Sequence, residues 1–301
     1  MSREICTGDL PQIYALLKLV TGREEHAALR RMGGLTNRTY TAELPGGTKY
    51  VIRIPGEGTE DMIVRADEKR STELACKLGI DTPLLYFGDD GAKVTEYISG
   101  AVTMCSDTMK EPRRIEQAAA LLRQLHGCGR DTGVPFEVFD MADGYERIIF
   151  AKHVPMPDDY ADVKATVMKI KRELDAKGMT ERVPCHNDPL CENWVLSDSG
   201  RLYLIDWEYA GMNDGMWDAA AVSIEAGYDR AEDELLLAAY LGHTPGNADR
   251  KHLLASKIYV DYLWTLWAKT RVPYDGQSME DWADARYERL KGNIAELEKI
   301  I

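Results

Sequence analysis

Residues 186–208, HNDPLCENWVLSDSGRLYLIDWE, set His186, Asp188, Asn193, Asp206 and Glu208 around two short apolar runs. Acids and amides usually scatter over a solvated surface. Here they stand at the ends of strand-like segments, where a site for a divalent ion is assembled. His186-x-Asp188 is followed, after Pro189 to Glu192, by Asn193. Trp194 to Ile205 then read as strand (WVL), turn (SDSG) and strand (LYLI), leading to Asp206. A hairpin returns its two ends to each other, so the sequence predicts Asn193 and Asp206 side by side. Two oxygen ligands suit Mg²⁺, which takes few protein ligands and fills its octahedron with waters and phosphate oxygens. Asp188, on the preceding loop, would accept the proton of an attacking hydroxyl. A loop Asp as base, a loop Asn on metal and a later Asp between metal and phosphate is how phosphoryl transfer divides its labour. Zinc on His186 and Asp188 would need a third ligand, and the sequence offers no obvious one. His186 is expected to hold the loop by hydrogen bonding.

Two kinds of surroundings must position these residues. In the first hundred residues, RTYTAEL and KYVIRI are β-rich runs separated by Pro45 to Gly47, a hairpin pattern. TEDMIVRADEKRSTELACKLG has helical spacing through Met62, Ala66, Leu74 and Leu78 and stops at Gly79. TPLLYFGDDGAKVTEYI adds two short strands around Asp89–Gly91. Strands with one inserted helix predict a small α+β lobe.

After Gly100 the pattern turns mainly helical. EPRRIEQAAALLRQLHG starts near Pro112, lines up Ile115, Ala119, Leu122 and Leu125, and ends at Gly127. Residues 158–177, 248–270 and 278–299 carry further long helical patterns. The expected boundary is Ser99–Gly100, giving lobes 1–99 and 100–301.

A 301-residue chain with 45% hydrophobic residues is long enough for one large domain or two lobes. A net charge of −13 argues against broad nucleic-acid binding, which needs a basic surface. No stretch of about 18 apolar residues is present, so no membrane span is expected. The N-terminal apolar run is broken by Lys18 and has no small-residue cleavage site, which predicts a cytoplasmic protein. The six cysteines form no CxxC pair, so reduced thiols are expected.

Together these motifs resemble the choline/ethanolamine kinase family, closest to its bacterial branch, within the aminoglycoside-phosphotransferase-like kinases. HNDPLCEN matches the family's HxDxxxxN catalytic loop, and IDWEYAG its ID-aromatic-EY segment. The resemblance covers nearly the whole chain and implies a two-lobed, protein-kinase-like fold with ATP and Mg²⁺. RRMGGLTNRTY resembles the glycine loop over the nucleotide, with Gly33 and Gly34 opening the backbone to phosphate and Asn37 bracing it. YVIRIPG puts Arg53 where protein kinases carry lysine, as choline kinases do, to hold phosphates. On the strand, Arg53 shares a face with Val51, opposite Ile52 and Ile54. Glu68 fits the family's R-x-x-E pattern from Arg65 as the partner of Arg53, with Glu73 the competitor. Glu96, Tyr97 and Ile98 resemble the lobe connection whose backbone meets adenine.

For the acceptor, Trp264 and Trp267 lie three apart on one helix face. Indole faces suit a quaternary ammonium, whose charge no hydrogen bond can meet. Their spacing resembles the choline-pocket tryptophans of the family, Tyr209 would be a further wall, and Glu225 the pocket carboxylate. Asp218 reads as a cap or loop brace; Tyr228 lies nearby, and Glu208 assists either metal or pocket. The implied reaction is phosphorylation of choline, with ethanolamine, thiamine or an aminoglycoside as alternatives, by a monomer or homodimer.

Overall fold

The computed structural model describes residues 5–23, 26–32, 37–56, 63–176, 178 and 180–300. Gly33 and Gly34 lie outside the described residues. The chain forms two compact units, Met1–Cys105 with Glu192–Ala210, and Ser106–Cys191 with Gly211–Ile301. The sheet-bearing unit therefore runs past Ser99–Gly100 to Cys105 and takes in the hairpin after Asn193.

In the first unit, helix α1 (Leu10–Thr21) precedes β1 (Ala28–Arg31), β2 (Asn37–Glu43) and β3 (Lys49–Pro55). Helix α2 (Arg65–Leu78), β4 (Leu84–Phe87), β5 (Lys93–Glu96) and β6 (Val102–Thr103) follow. The five-stranded sheet is antiparallel in the order β1-β2-β3-β5-β4. Helix α1 corrects the expectation of a single inserted helix. Pro11 lies in its first turn, Gly22 closes it at φ 71°, and Ile13, Leu16 and Leu17 are buried. They pack with Tyr40, Ala42, Ile52, Ile54 and Val94. Each such side chain contributes about 1.5–3 kcal/mol relative to exposure, enough to fix α1 to the sheet. The N-terminal run is apolar because it covers this core.

The other unit is mostly helical: α3 (Ser106–Met109), α4 (Pro112–His126), α5 (Val138–Ala151) and α6 (Tyr160–Ala176) precede β7 (Arg182–Cys185). The first unit resumes with β8 (Trp194–Leu196) and β9 (Leu202–Leu204), which pair as the predicted hairpin and form a three-stranded sheet with β6. In the second unit, β10 (Gly211–Asp214) pairs antiparallel with β7. Then come α7 (Gly215–Ala226), α8 (Arg230–Leu241), α9 (Asn247–Asp275) and α10 (Gln277–Ile300). The nearly all-buried α7 begins at Asp214, whose side chain accepts the Met216 N–H. Gly276, at φ 71°, separates α9 from α10. Among the described residues no helix is long and apolar enough to cross a membrane.

Candidate active site

In the first unit, β3, α2 and the segment after β9 bring five charged side chains together. Arg53 is buried on the sheet face opposite the core residues Ile52 and Ile54. Its Nη1 donates to Glu68, its Nη2 donates to the Gly91 carbonyl at 2.8 Å, and its guanidinium carbon lies 5.7 Å from the Phe87 ring centroid. Glu68 is the carboxylate that pairs with Arg53; it also accepts from Arg65 Nη1 at 2.7 Å. Gly91 is required here: at φ 85° a Cβ would stand 2.6 Å from the Arg65 side chain.

The hairpin delivers the other acids. Trp194 pairs with Leu204, and the Ile205 N–H donates to the Asn193 carbonyl at 2.9 Å. Asn193 therefore stands across from Ile205, with Asp206 one residue past the pairing. Asp206 adopts φ 70°, a left-handed conformation uncommon for a non-glycine residue. Its Oδ1 lies 3.6 Å from Arg53 Nη1, is shielded from solvent and accepts no hydrogen bond among the described residues. Glu208 Oε2 accepts from Asn37 Nδ2 at 3.2 Å and lies 3.8 Å from Arg65 Nη1.

Arg53 and Arg65 thus meet Glu68, Asp206 and Glu208, with Lys93 also acting on Glu68, and the acids are shifted in different directions. Burial opposes the Arg53 charge, but Glu68, Asp206 and Glu208 outweigh it and hold its pKa above the ordinary value. Burial likewise works against an ionised Glu68, yet Arg53 wins and keeps that carboxyl below its usual range. Glu208 goes the other way: burial, then the Asp206 charge, push it up to about 7 against the pull of Asn37 and Arg53. A buried carboxylate oxygen that accepts no hydrogen bond among the described residues, beside a second acid whose pKa it raises, is the donor chemistry that a hard divalent cation such as Mg²⁺ requires.

Glu96 and Tyr97 spend their amides inside the unit, on the Pro83 carbonyl at 3.1 Å and the Lys49 carbonyl at 3.2 Å. The Ile98 amide has no backbone acceptor among the described residues. Tyr209 is half-buried in the same unit.

The second unit holds the loop of His186 and Asp188 after β7. Asp218, fully buried on α7, accepts the His186 N–H at 2.7 Å and the Asn187 N–H at 2.8 Å. His126 Nε2 bonds the same carboxylate at 3.0 Å, and its Nδ1 meets the Tyr240 hydroxyl at 2.8 Å. Gly215 makes room for that pair, since a Cβ there would lie 2.6 Å from the Tyr240 hydroxyl. Asn187, at φ 68°, is held by Asn213 Nδ2 on its side chain and by Trp217 Nε1 on its carbonyl, both at 2.9 Å. His186 Nδ1 accepts the Asp188 N–H at 3.3 Å, which leaves the ring proton of a neutral imidazole on Nε2. Asp188 is half-buried at the end of this braced turn. Tyr228 donates to the Met109 carbonyl at 2.8 Å and serves packing.

Also in this unit, Trp264 and Trp267 meet edge-to-face with centroids 5.9 Å apart, and Trp282 on α10 extends the run at 6.1 Å from Trp267. Glu225 is ion-paired with Arg286. Neither Trp282 nor Arg286 was signalled by the sequence, because only the α9–α10 pairing brings them here.

The choline/ethanolamine kinase family description matches residues 29–264. The chain belongs to the choline/ethanolamine kinase family. A crystal structure of a choline/ethanolamine kinase family protein from Mesorhizobium loti aligns with TM-score 0.85 at 32% identity, covering 97% of each chain. That of choline kinase LicA from Streptococcus pneumoniae aligns with TM-score 0.82 at 32% identity, over 96% of this chain and 100% of the other. Protein LicA of Haemophilus influenzae is 29% identical over 272 residues, 86% of this chain and 79% of its own length. Likeness of fold alone reaches spectinomycin phosphotransferase, with TM-score 0.64 at 14% identity, which places this family member in the aminoglycoside-phosphotransferase and kinase-like fold.

Proposed function

We propose that this family member transfers the γ-phosphoryl group of ATP to the hydroxyl of choline, giving phosphocholine and ADP. The observation that carries the choice of alcohol is the edge-to-face run of Trp264, Trp267 and Trp282. Ring faces attract a trimethylammonium that has no N–H to donate. The naming of LicA as a choline kinase supports the same reading.

Each residue then has a task. Asp188 takes the proton as the choline oxygen bonds to the γ-phosphorus, and the bond from that phosphorus to the bridging oxygen breaks to release ADP. Arg53, held by Glu68, binds phosphate oxygens; Gly33 and Gly34 offer backbone N–H groups, and Asn37 steadies that loop. Asn193 and Asp206 would hold Mg²⁺, which offsets phosphate charge when bound. Glu208, bonded to Asn37, belongs with the nucleotide and metal side. Glu96, Tyr97 and the Ile98 amide meet the adenine. Trp264 and Trp267 receive the ammonium, with Tyr209 as a further wall; Glu225, expected as the pocket acid, is already paired with Arg286. His186 and Asp218 fix the loop that carries Asp188. Dependence on ATP puts the reaction in the cytoplasm.

The test is a coupled ADP-release assay with choline, ethanolamine, thiamine and an aminoglycoside, with and without Mg²⁺. Choline is expected to give the highest kcat/KM, and chelation to stop turnover. A preference for thiamine or the aminoglycoside would overturn the proposal.

A further inference from the structure

Beside the tryptophans, the protein has set one of its own cations on the acids and rings that a substrate ammonium would use. Arg286 is only 3% exposed. Its Nη2 donates to Glu225, and its Nη1 to Asp261 Oδ1 at 3.1 Å. Its guanidinium carbon lies 3.9 Å from the Trp282 ring centroid. Arg289 completes the set, donating from Nε to Asp261 Oδ2 at 2.8 Å and from Nη2 to Oδ1 at 2.6 Å. Two carboxylates therefore face two guanidiniums, one acid for each cation, before any substrate arrives.

We propose that Arg286 is a specificity-determining residue that turns this pocket toward quaternary and away from primary ammonium alcohols, an inference that rests on reading Trp264 and Trp267 as the choline wall. A primary ammonium carries three N–H donors and binds well only where acceptors take them. Glu225 and Asp261 are acids of the right kind, but planar guanidiniums already claim Glu225 Oε1 and both Asp261 oxygens in charge-assisted bonds. Ethanolamine entering such a pocket leaves donors unmet. Choline has none to meet and draws on the ring faces, so the same pairing costs it little. Arg286 acts through Glu225 and Trp282, as a positioning group.

Steady-state kinetics of wild type, Arg286→Met and Arg286→Lys on choline and ethanolamine test this. For Arg286→Met, the choline-to-ethanolamine ratio of kcat/KM is expected to fall at least about tenfold, mainly through a lower ethanolamine KM, as freed acceptors bind the N–H donors. Lysine keeps one compact charge without the planar fork, so Arg286→Lys is expected to shift the ratio the same way by about threefold. Should the Met variant not fold, the Lys variant decides. A merely structural role would depress both substrates alike and leave the ratio unmoved, which would overturn the inference alone. Failure of the wild type to phosphorylate either alcohol would overturn the choline reading, and the inference with it.

Discussion

The clusters around Arg53 and Arg286 are built from the same parts and balanced differently. Around Arg53, two guanidiniums and the more distant Lys93 face Glu68, Asp206 and Glu208, Asp206 Oδ1 takes no hydrogen bond among the described residues, and Glu208 is driven toward protonation. Around Arg286, two guanidiniums face two carboxylates, and tryptophan rings continue the cluster. The first keeps Asp206 and Glu208 close enough for one to raise the pKa of the other, a pair that the proposed reading gives to a metal–nucleotide complex. The second matches one acid to each guanidinium, so its pull on a cation comes from ring faces. On the proposed reading, that difference in balance separates a phosphate-handling site from one for a cation without donors.

The largest effect is expected outside both clusters. Asp188→Ala should lower kcat by about 10²–10⁴, the usual worth of a general base, while calorimetry finds ATP binding unchanged. Near-normal turnover would remove the base assignment. Next, Glu68→Ala takes from buried Arg53 its nearest carboxylate, so denaturant unfolding should report a loss of about 3–5 kcal/mol. Glu225→Ala leaves Arg286 its Asp261 partner and should cost clearly less; equal losses would erase the contrast between the clusters. Asp206→Asn is expected to raise the Mg²⁺ needed for half-maximal rate by at least about tenfold, read from a metal titration. Trp264→Ala should raise the choline KM about 5–30-fold, in line with about 1–2 kcal/mol of lost cation–π attraction, and leave the ethanolamine KM much closer to wild type.

The smallest effect tests an anchor behind the first cluster. Asp9 accepts from Tyr40 at 2.5 Å and from Arg38 at 2.7 Å, next to Asn37 at the start of β2. Burial raises the Asp9 pKa, but these two donors outweigh it and the net shift is downward. A carboxyl depressed in the fold stabilises fully above its unfolded pKa of about 3.9 and loses that contribution as pH falls through the folded value. Tyr40→Phe should therefore cost about 1 kcal/mol at neutral pH. In acid titrations followed by circular dichroism, the variant should differ less and less from wild type as pH falls through the depressed Asp9 pKa.

Much of the scaffold was legible from local signals. The WVL–SDSG–LYL alternation gives the hairpin, Gly79 and Gly127 close their helices, and Pro45 to Gly47 turn between β2 and β3. Helix α1 was not, because a twelve-residue apolar helix closing over a sheet resembles a short strand or leader until its partner surface is known. The register also moved a detail: Asn193 faces Ile205, and the left-handed turn at Asp206 is needed past the pairing. Trp282, Arg286 and Arg289 carry no motif. They become neighbours of Asp261 and Trp267 only through the approach of α10 to α9, which no spacing within either helix encodes.

The guanidinium over Phe87 has one last implication. A buried lysine ammonium can shed its proton as solutions turn alkaline, and its grip on a polyanion would fade accordingly; arginine keeps its charge across the range in which proteins stay folded. If Arg53 holds the phosphates as proposed, any loss of rate on the basic limb must therefore originate elsewhere than in Arg53.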